Sequence, residues 1–201
     1  MKPDTVVFDL GNVLIPWDPR SIYRKLIPDA AELEDFLATV CTNEWNLRQD
    51  AGRPIAEAEA ELIARFPDKA DLIRAYYGRF QEALGRPIQG SVALLERLHA
   101  KATPLYALTN WSAETFEIAR PMFPFLELFR HIVVSGKLKL VKPDAAIFRH
   151  LLDIVGKPAQ ACFFIDDSEK NVAGAAALGF HTHHFAEPSA LGRDLERLGF
   201  L

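Results

Sequence analysis

Four short runs of apolar and β-branched residues punctuate the chain, at 5–8 (Thr-Val-Val-Phe), 104–108 (Pro-Leu-Tyr-Ala-Leu), 131–134 (His-Ile-Val-Val) and 161–165 (Ala-Cys-Phe-Phe-Ile). None alternates apolar with polar positions, the mark of strands buried on both faces of a parallel sheet. Each stops at a polar residue or cluster. Between the runs, Val92, Leu95 and Leu98 predict a helix over 91–100. Further helices are predicted over 113–122, 145–155 and 171–178, the last closed by Gly179 at C′. Strand alternating with helix predicts an α/β fold with right-handed crossovers and a parallel sheet.

From about residue 21 to 85 the texture changes. Ile22 and Leu26, then Leu33, Phe36 and Leu37, then Ala60, Ile63 and Ala64 recur at helical spacing, and no strand interrupts them. This predicts a helical insertion between the first strand and the helix that leads into the second. Asp50-Ala51-Gly52-Arg53-Pro54 reads as a turn within it, the run at 57–61 as a solvated helix face, and Gly85-Arg86-Pro87 as a hinge back to the main body. The division expected is a core of residues 1–17 and 86–201 and a helical cap of 18–85.

Composition narrows the classes of function. In 201 residues, 23 Lys and Arg stand against 27 Asp and Glu, a net charge of -4, so no chain-wide basic field exists to hold nucleic acid or an acidic membrane surface. The first residues lack a signal peptide's apolar tract and no stretch approaches the ~20 apolar residues of a membrane span, which gives a cytoplasmic expectation. Cys41 and Cys162 are far apart and form no C-x-x-C, so neither a disulfide framework nor a zinc ribbon is expected. His181 and His183 would share a face of a final strand, but no acidic or thiol ligand lies at a compatible spacing, and they read as ordinary surface and core residues.

In an open parallel sheet, ligands bind beyond the carboxyl ends of the strands. The residues that follow the four strands should therefore meet: Asp9 with Gly11 and Asn12, Thr109 with Asn110, Ser135 and then Lys142-Pro143, and Asp166-Asp167-Ser168. Three carboxylates at close quarters either share protons or hold a hard cation, for which Mg2+ is the economical choice. Thr109 offers a hydroxyl, Lys142 a positive charge, and the Gly11-Asn12 turn backbone N–H groups, a set suited to phosphate. Asp9, at the end of a buried strand, is the candidate nucleophile toward phosphorus. Trp17 and Trp111 flank these positions as candidate pocket walls, and Trp45 could face the same cavity. Asp166 and Asp167 also suit the start of the helix that follows.

Phe8-Asp9-Leu10-Gly11-Asn12-Val13-Leu14, Leu108-Thr109-Asn110, Lys142-Pro143 and Phe164-Ile165-Asp166-Asp167-Ser168 together resemble the four ordered motifs of the haloacid dehalogenase superfamily. Within it, the chain is similar to the branch of sugar-phosphate phosphatases and the N-terminal phosphatase domain of soluble epoxide hydrolases. The resemblance implies a Rossmann-like core of strand order 5-4-1-2-3 and a mobile cap over the site. It implies Asp9 as nucleophile, Mg2+ on Asp9, the Gly11 carbonyl and Asp167, and Asp166 holding a metal-bound water or ligating directly. Thr109 and Lys142 would bind the phosphoryl group of a small phosphorylated substrate.

One position departs from the family pattern. Phosphatases of this kind usually carry a second Asp two residues after the nucleophile as general acid and base, and here that residue is Gly11. Asp18, at the boundary of the insertion, is the first substitute to consider. Two other readings stay open: a 2-haloacid dehalogenase-like hydrolase, which needs neither acid nor metal, and a catalytically weak, metal-binding regulatory member of the family.

Overall fold

The computed structural model describes residues 2–201. In chain order, β1 (Thr5–Phe8) is followed by five helices, α1 (Arg20–Tyr23), α2 (Ala30–Thr39), α3 (Asn43–Asp50), α4 (Ile55–Arg65) and α5 (Ala70–Gly78). Then come α6 (Gln89–Ala100), β2 (Leu105–Thr109), α7 (Ala113–Ala119), β3 (His131–Val134), α8 (Ser135–Leu138) and α9 (Ala145–Val155). The chain closes with β4 (Cys162–Asp166), α10 (Glu169–Ala177), β5 (His181–His184) and α11 (Pro188–Arg197). All strand pairings are parallel, in the order β3-β2-β1-β4-β5.

Strand burial explains the absence of polar alternation. In β1, Val6 and Phe8 join one hydrophobic cluster while Val7 joins another; in β4, Phe163 and Ile165 join the first and Cys162 and Phe164 the second. Alternate side chains thus meet helices on opposite faces of the sheet. The first face is covered by α6, α7 and α11 through Leu95, Leu98, Phe116, Leu191 and Leu195. The second is covered by α9 and α10 through Ile147, Phe148, Leu151 and Ala175. Gly179 follows α10 at φ +92, the left-handed conformation that a glycine adopts without a Cβ clash.

The insertion has its own core, in which Ile22, Tyr23, Leu33, Phe36, Trp45, Leu62, Ile73 and Tyr76 are buried together. Asp29 caps α2 by accepting the Glu32 N–H at 2.8 Å, and Thr42 caps α3 by accepting that of Trp45 at 3.0 Å. Two expectations shift. Leu26 lies beyond the end of α1, which stops at Tyr23, and is exposed. In α4, Ala58 and Leu62 face inward while Ala60 and Ala64 are exposed, because one leucine dominates a face on which alanines are nearly neutral. No helix among the described residues is long and apolar enough to cross a membrane.

Candidate active site

β1 lies between β2 and β4, so the chain crosses from one side of it to the other and leaves a crevice at its carboxyl end. Asp9 sits there, 7% exposed. Its Oδ1 accepts the Leu10 N–H at 2.7 Å and its Oδ2 lies 2.9 Å from Lys142 Nζ. That ammonium also donates to Asp166 Oδ2 at 2.7 Å and to the Leu108 carbonyl at 2.9 Å. Its three N–H groups are all committed, so Lys142 orients the carboxylates first, and a bound anion would feel its charge rather than receive an uncommitted donor.

Asp166 is wholly buried and saturated. Its Oδ1 accepts from the Ser168 N–H at 2.8 Å and the Asn171 amide at 3.0 Å. The Ser168 bond forms an Asx turn just ahead of α10, which is how Asp166 serves the helix start. Asn171, in the first turn of α10, carries no local signal in the sequence that would point to Asp166 as its partner. Asp167 is less buried and accepts from the Asn12 side chain.

Burial pushes the Asp9 carboxyl up to about 7, with Asp166 and Asp167 adding to the effect and Lys142 opposing it. Burial and Asp166 likewise raise Asp167. Burial works against the Lys142 ammonium, but Asp9 and Asp166 together hold its pKa above the ordinary value. One oxygen from each of Asp9, Asp166 and Asp167 falls within 4.8 Å of the others. A hard, oxygen-seeking divalent cation fits this donor set, and the Gly11 carbonyl, which accepts the Val13 N–H at 2.7 Å, has a second lone pair to offer.

A cavity of about 260 Å3 opens in front of this cluster. The core contributes Asp9, Gly11, Asn12, Thr109, Asn110, Trp111 and Asp167 to its wall, together with Trp17. The insertion contributes Asn43, Asn46, Leu47, Asp50 and Tyr77, with Phe80 and Leu84 following.

Several sequence expectations are refined by these positions. The Asn12 N–H is bonded to the Ile15 carbonyl at 2.8 Å, so it is not a phosphate donor; the residue adopts φ +53, and its Oδ1 receives the Trp17 N–H at 3.0 Å. Asn110 brackets the Lys142 backbone, donating to its carbonyl at 3.0 Å and accepting its N–H at 2.9 Å. Trp45 does not reach the cavity; it packs edge-on against Tyr76 inside the insertion.

Asp18 is also away from the cavity. Its half-exposed carboxylate pairs with Arg20 and Arg24 at the surface, because the chain turns outward after Trp17. The carboxylate that the insertion does turn toward the cavity is Asp50, which the sequence presents only as part of a turn. His183 pairs with Asp194 at 2.7 Å and His184 meets the Asp167 carbonyl at 3.0 Å; neither joins the carboxylate cluster.

A parallel sheet with aspartates at the carboxyl ends of its central strands and a helical insertion beside them defines a class of Rossmann-like α/β proteins that gather carboxylates at one sheet edge. The model of the haloacid dehalogenase-like hydrolases matches residues 3–179, and the chain belongs to that family and is a hydrolase. A sesquiterpene phosphatase of Aspergillus oryzae is 25% identical over 192 residues, 96% of this chain and 94% of the relative. Among solved structures, a HAD-like family hydrolase from Porphyromonas gingivalis superposes with a TM-score of 0.77 at 24% identity, covering 97% of this chain and 98% of that one. A HAD family enzyme of Bacteroides thetaiotaomicron, an Asp-to-Ala mutant in complex with magnesium and inorganic phosphate, gives 0.67 at 25% identity, covering 90% and 93%.

Proposed function

We propose that the protein is a Mg2+-dependent phosphatase that hydrolyses a small phosphorylated metabolite, of the sugar-phosphate type, through an aspartyl-phosphate at Asp9. One observation carries the reading. Three carboxylates around one ammonium leave two negative charges in excess at the inner end of the cavity when all are ionised, a state that a divalent cation would favour and that repels a phosphate dianion without one. Asp9, Asp167 and the Gly11 carbonyl would hold the ion, with Asp166 directly or through water. When bound it would neutralise charge on the phosphoryl oxygens.

In the first step an Asp9 oxygen attacks phosphorus in line with the departing ester oxygen. In the second, water attacks the same phosphorus and frees Asp9. Lys142 and the Leu10 N–H fix the nucleophile's carboxylate, and Thr109 at the end of β2 offers its hydroxyl to the phosphoryl group. Residues 18–85 act as the cap over a core of 1–17 and 86–201, which excludes water from the reaction.

The cavity volume lies below the ~300–1,000 Å3 of pockets for drug-sized ligands, which favours a small leaving group. Asn43, Asn46 and the Tyr77 hydroxyl beside Trp17 and Trp111 suit the hydroxyls and ring face of a sugar. Leu47, Phe80 and Leu84 on the same wall support a second reading, a phosphate ester of an apolar alcohol, the substrate class suggested by the name of the Aspergillus relative. A dehalogenase gains nothing from two extra carboxylates beside an anionic nucleophile and substrate.

The test is a panel of sugar phosphates, prenyl phosphates and 2-chloropropionate, with Mg2+ and with EDTA. Ester hydrolysis that requires Mg2+ and vanishes in Asp9→Asn is expected. Halide release without Mg2+ would establish the dehalogenase instead, and metal binding with no turnover would establish a regulatory member.

A further inference from the structure

Asp50 is the insertion's own carboxylate on the cavity, and it is fixed from both sides of the crevice. From within the insertion, Asn46 Nδ2 donates to its Oδ2 at 3.0 Å. Asn46 is held in turn by the Tyr77 hydroxyl at 3.0 Å, which accepts from Gln49 at 3.1 Å. From the core, the backbone N–H of Ser112 in the loop after β2 donates to the same carboxylate. The Ser135 hydroxyl at the end of β3 donates to the Asp50 backbone carbonyl at 2.6 Å. Two residues on, Gly52 takes φ +90 and lies so close to Gly136 O and Lys139 that a Cβ would stand 2.9 and 2.8 Å from them. The turn at the end of α3 is therefore locked onto the core, and its one carboxylate faces the nucleophile's cavity.

Three carboxylates line that cavity among the described residues: Asp9, Asp167 and Asp50. Asp9 and Asp167 belong to the cluster at the inner end, while Asp50 enters from the insertion, the side on which the leaving group would lie. Building on the phosphatase reading, we propose that Asp50 is the general acid and base that Gly11 does not supply. In the first step, as the Asp9–phosphorus bond forms and the ester P–O bond breaks, the Asp50 carboxyl proton passes to the leaving oxygen, which departs as a neutral alcohol. In the second, a water oxygen bonds to phosphorus, its proton returns to the Asp50 carboxylate, and the Asp9–phosphorus bond breaks to release inorganic phosphate.

The state of the group suits this work. Burial pushes the Asp50 carboxyl up to about 7, with the Ser112 N–H opposing, so both protonation states are available near neutrality. The titratable groups packed against it are Tyr76 and Tyr77 of α5, both kept protonated by burial, while Asp9 and Asp167 line the same cavity from the core.

The experiment compares the native chain with Asp50→Asn, in Mg2+, on 4-nitrophenyl phosphate and on a simple alkyl phosphate from pH 5 to 9. The nitrophenolate departs without help, so in kcat/KM, which reports only the steps through ester cleavage and not the shared hydrolysis of the aspartyl-phosphate, the variant should lose less than about 10-fold on it and about 10^2- to 10^4-fold on the alkyl ester. The native alkyl profile should fall on a high-pH limb that the nitrophenyl profile lacks, a comparison that needs no variant to fold. Equal losses on the two esters, or identical native profiles, would overturn the assignment while leaving the phosphatase intact, as would a selective alkyl loss in Asp18→Asn with none in Asp50→Asn. A native chain inert toward every ester would overturn the phosphatase reading and Asp50's role with it.

Discussion

The Ser135 hydroxyl donates to the Asp50 carbonyl at 2.6 Å while accepting the Trp111 N–H at 2.9 Å, so one side chain joins the insertion to two core loops. Ser135→Ala leaves both backbone groups without this partner, at a cost of about 1–3 kcal/mol. Because Asp50 would loosen more than the phosphate end of the site, kcat on alkyl esters should fall further than KM rises. Thermal melts and steady-state kinetics check this; a KM effect alone would contradict it.

Lys142→Met keeps the apolar stem and removes the charge shared by two buried carboxylates. Breaking a buried ion pair on one side typically costs about 3–5 kcal/mol, and that is the loss expected in urea unfolding at pH 7. The loss should shrink as pH falls below about 7, because the Asp9 carboxyl, already pushed up to about 7 against the pull of Lys142, takes up a proton more readily once the lysine is gone. A pH-independent cost would show that packing, not charge, is the lysine's contribution.

Gly11 is not in the left-handed region, and a Cβ built on it meets nothing within 4 Å, so a side chain is tolerated there. Gly11→Asp should fold normally. In the Asp50→Asn background it should restore alkyl phosphate turnover by about 10-fold or more, since a carboxyl returns to the cavity wall. No recovery in a well-folded double variant would show that position 11 cannot reach the leaving oxygen.

Asp50 also links stability to pH. Its carboxyl rises from 3.8 to about 7 on folding, so the folded state keeps a proton that the unfolded chain has released. The associated stability is fully present below about pH 4 and is lost as pH rises through 7. Asp50→Asn is neutral throughout, so its Tm relative to native should climb between about pH 4 and 7 and level off above, by the equivalent of about 1–2 kcal/mol after allowance for partial exposure. A constant Tm difference across that window would contradict the raised pKa.

Much of the architecture was legible because its signals are local. Buried parallel strands read as unbroken apolar runs, and the predicted 5–8 and 131–134 match β1 and β3 to the residue. The other two runs, at 104–108 and 161–165, are displaced by one position relative to β2 and β4, since Pro104 and Ala161 stand outside the strands and the ladders continue through the polar Thr109 and Asp166 at which the apolar runs stop. The face of α4 was misread because alternating Glu and Ala give a weak pattern that only packing resolves.

By itself, the sequence determined the alternation of strands and helices, the helical insertion, and the polar residues at or beyond the strand ends: Asp9, Thr109, Lys142, Asp166 and Asp167. These follow from side-chain chemistry and spacing along the chain. Only the tertiary structure decided that Lys142 is clamped by Asp9, Asp166 and the Leu108 carbonyl, that Asn171 braces Asp166, and that Asp18 faces outward while Asp50 faces the cavity. The reason is that an exposed and a buried aspartate look alike in sequence. What separates them is the desolvation and the donors that Ser112 and Asn46 bring to Asp50, and these exist only once the insertion has folded back onto the sheet's carboxyl edge.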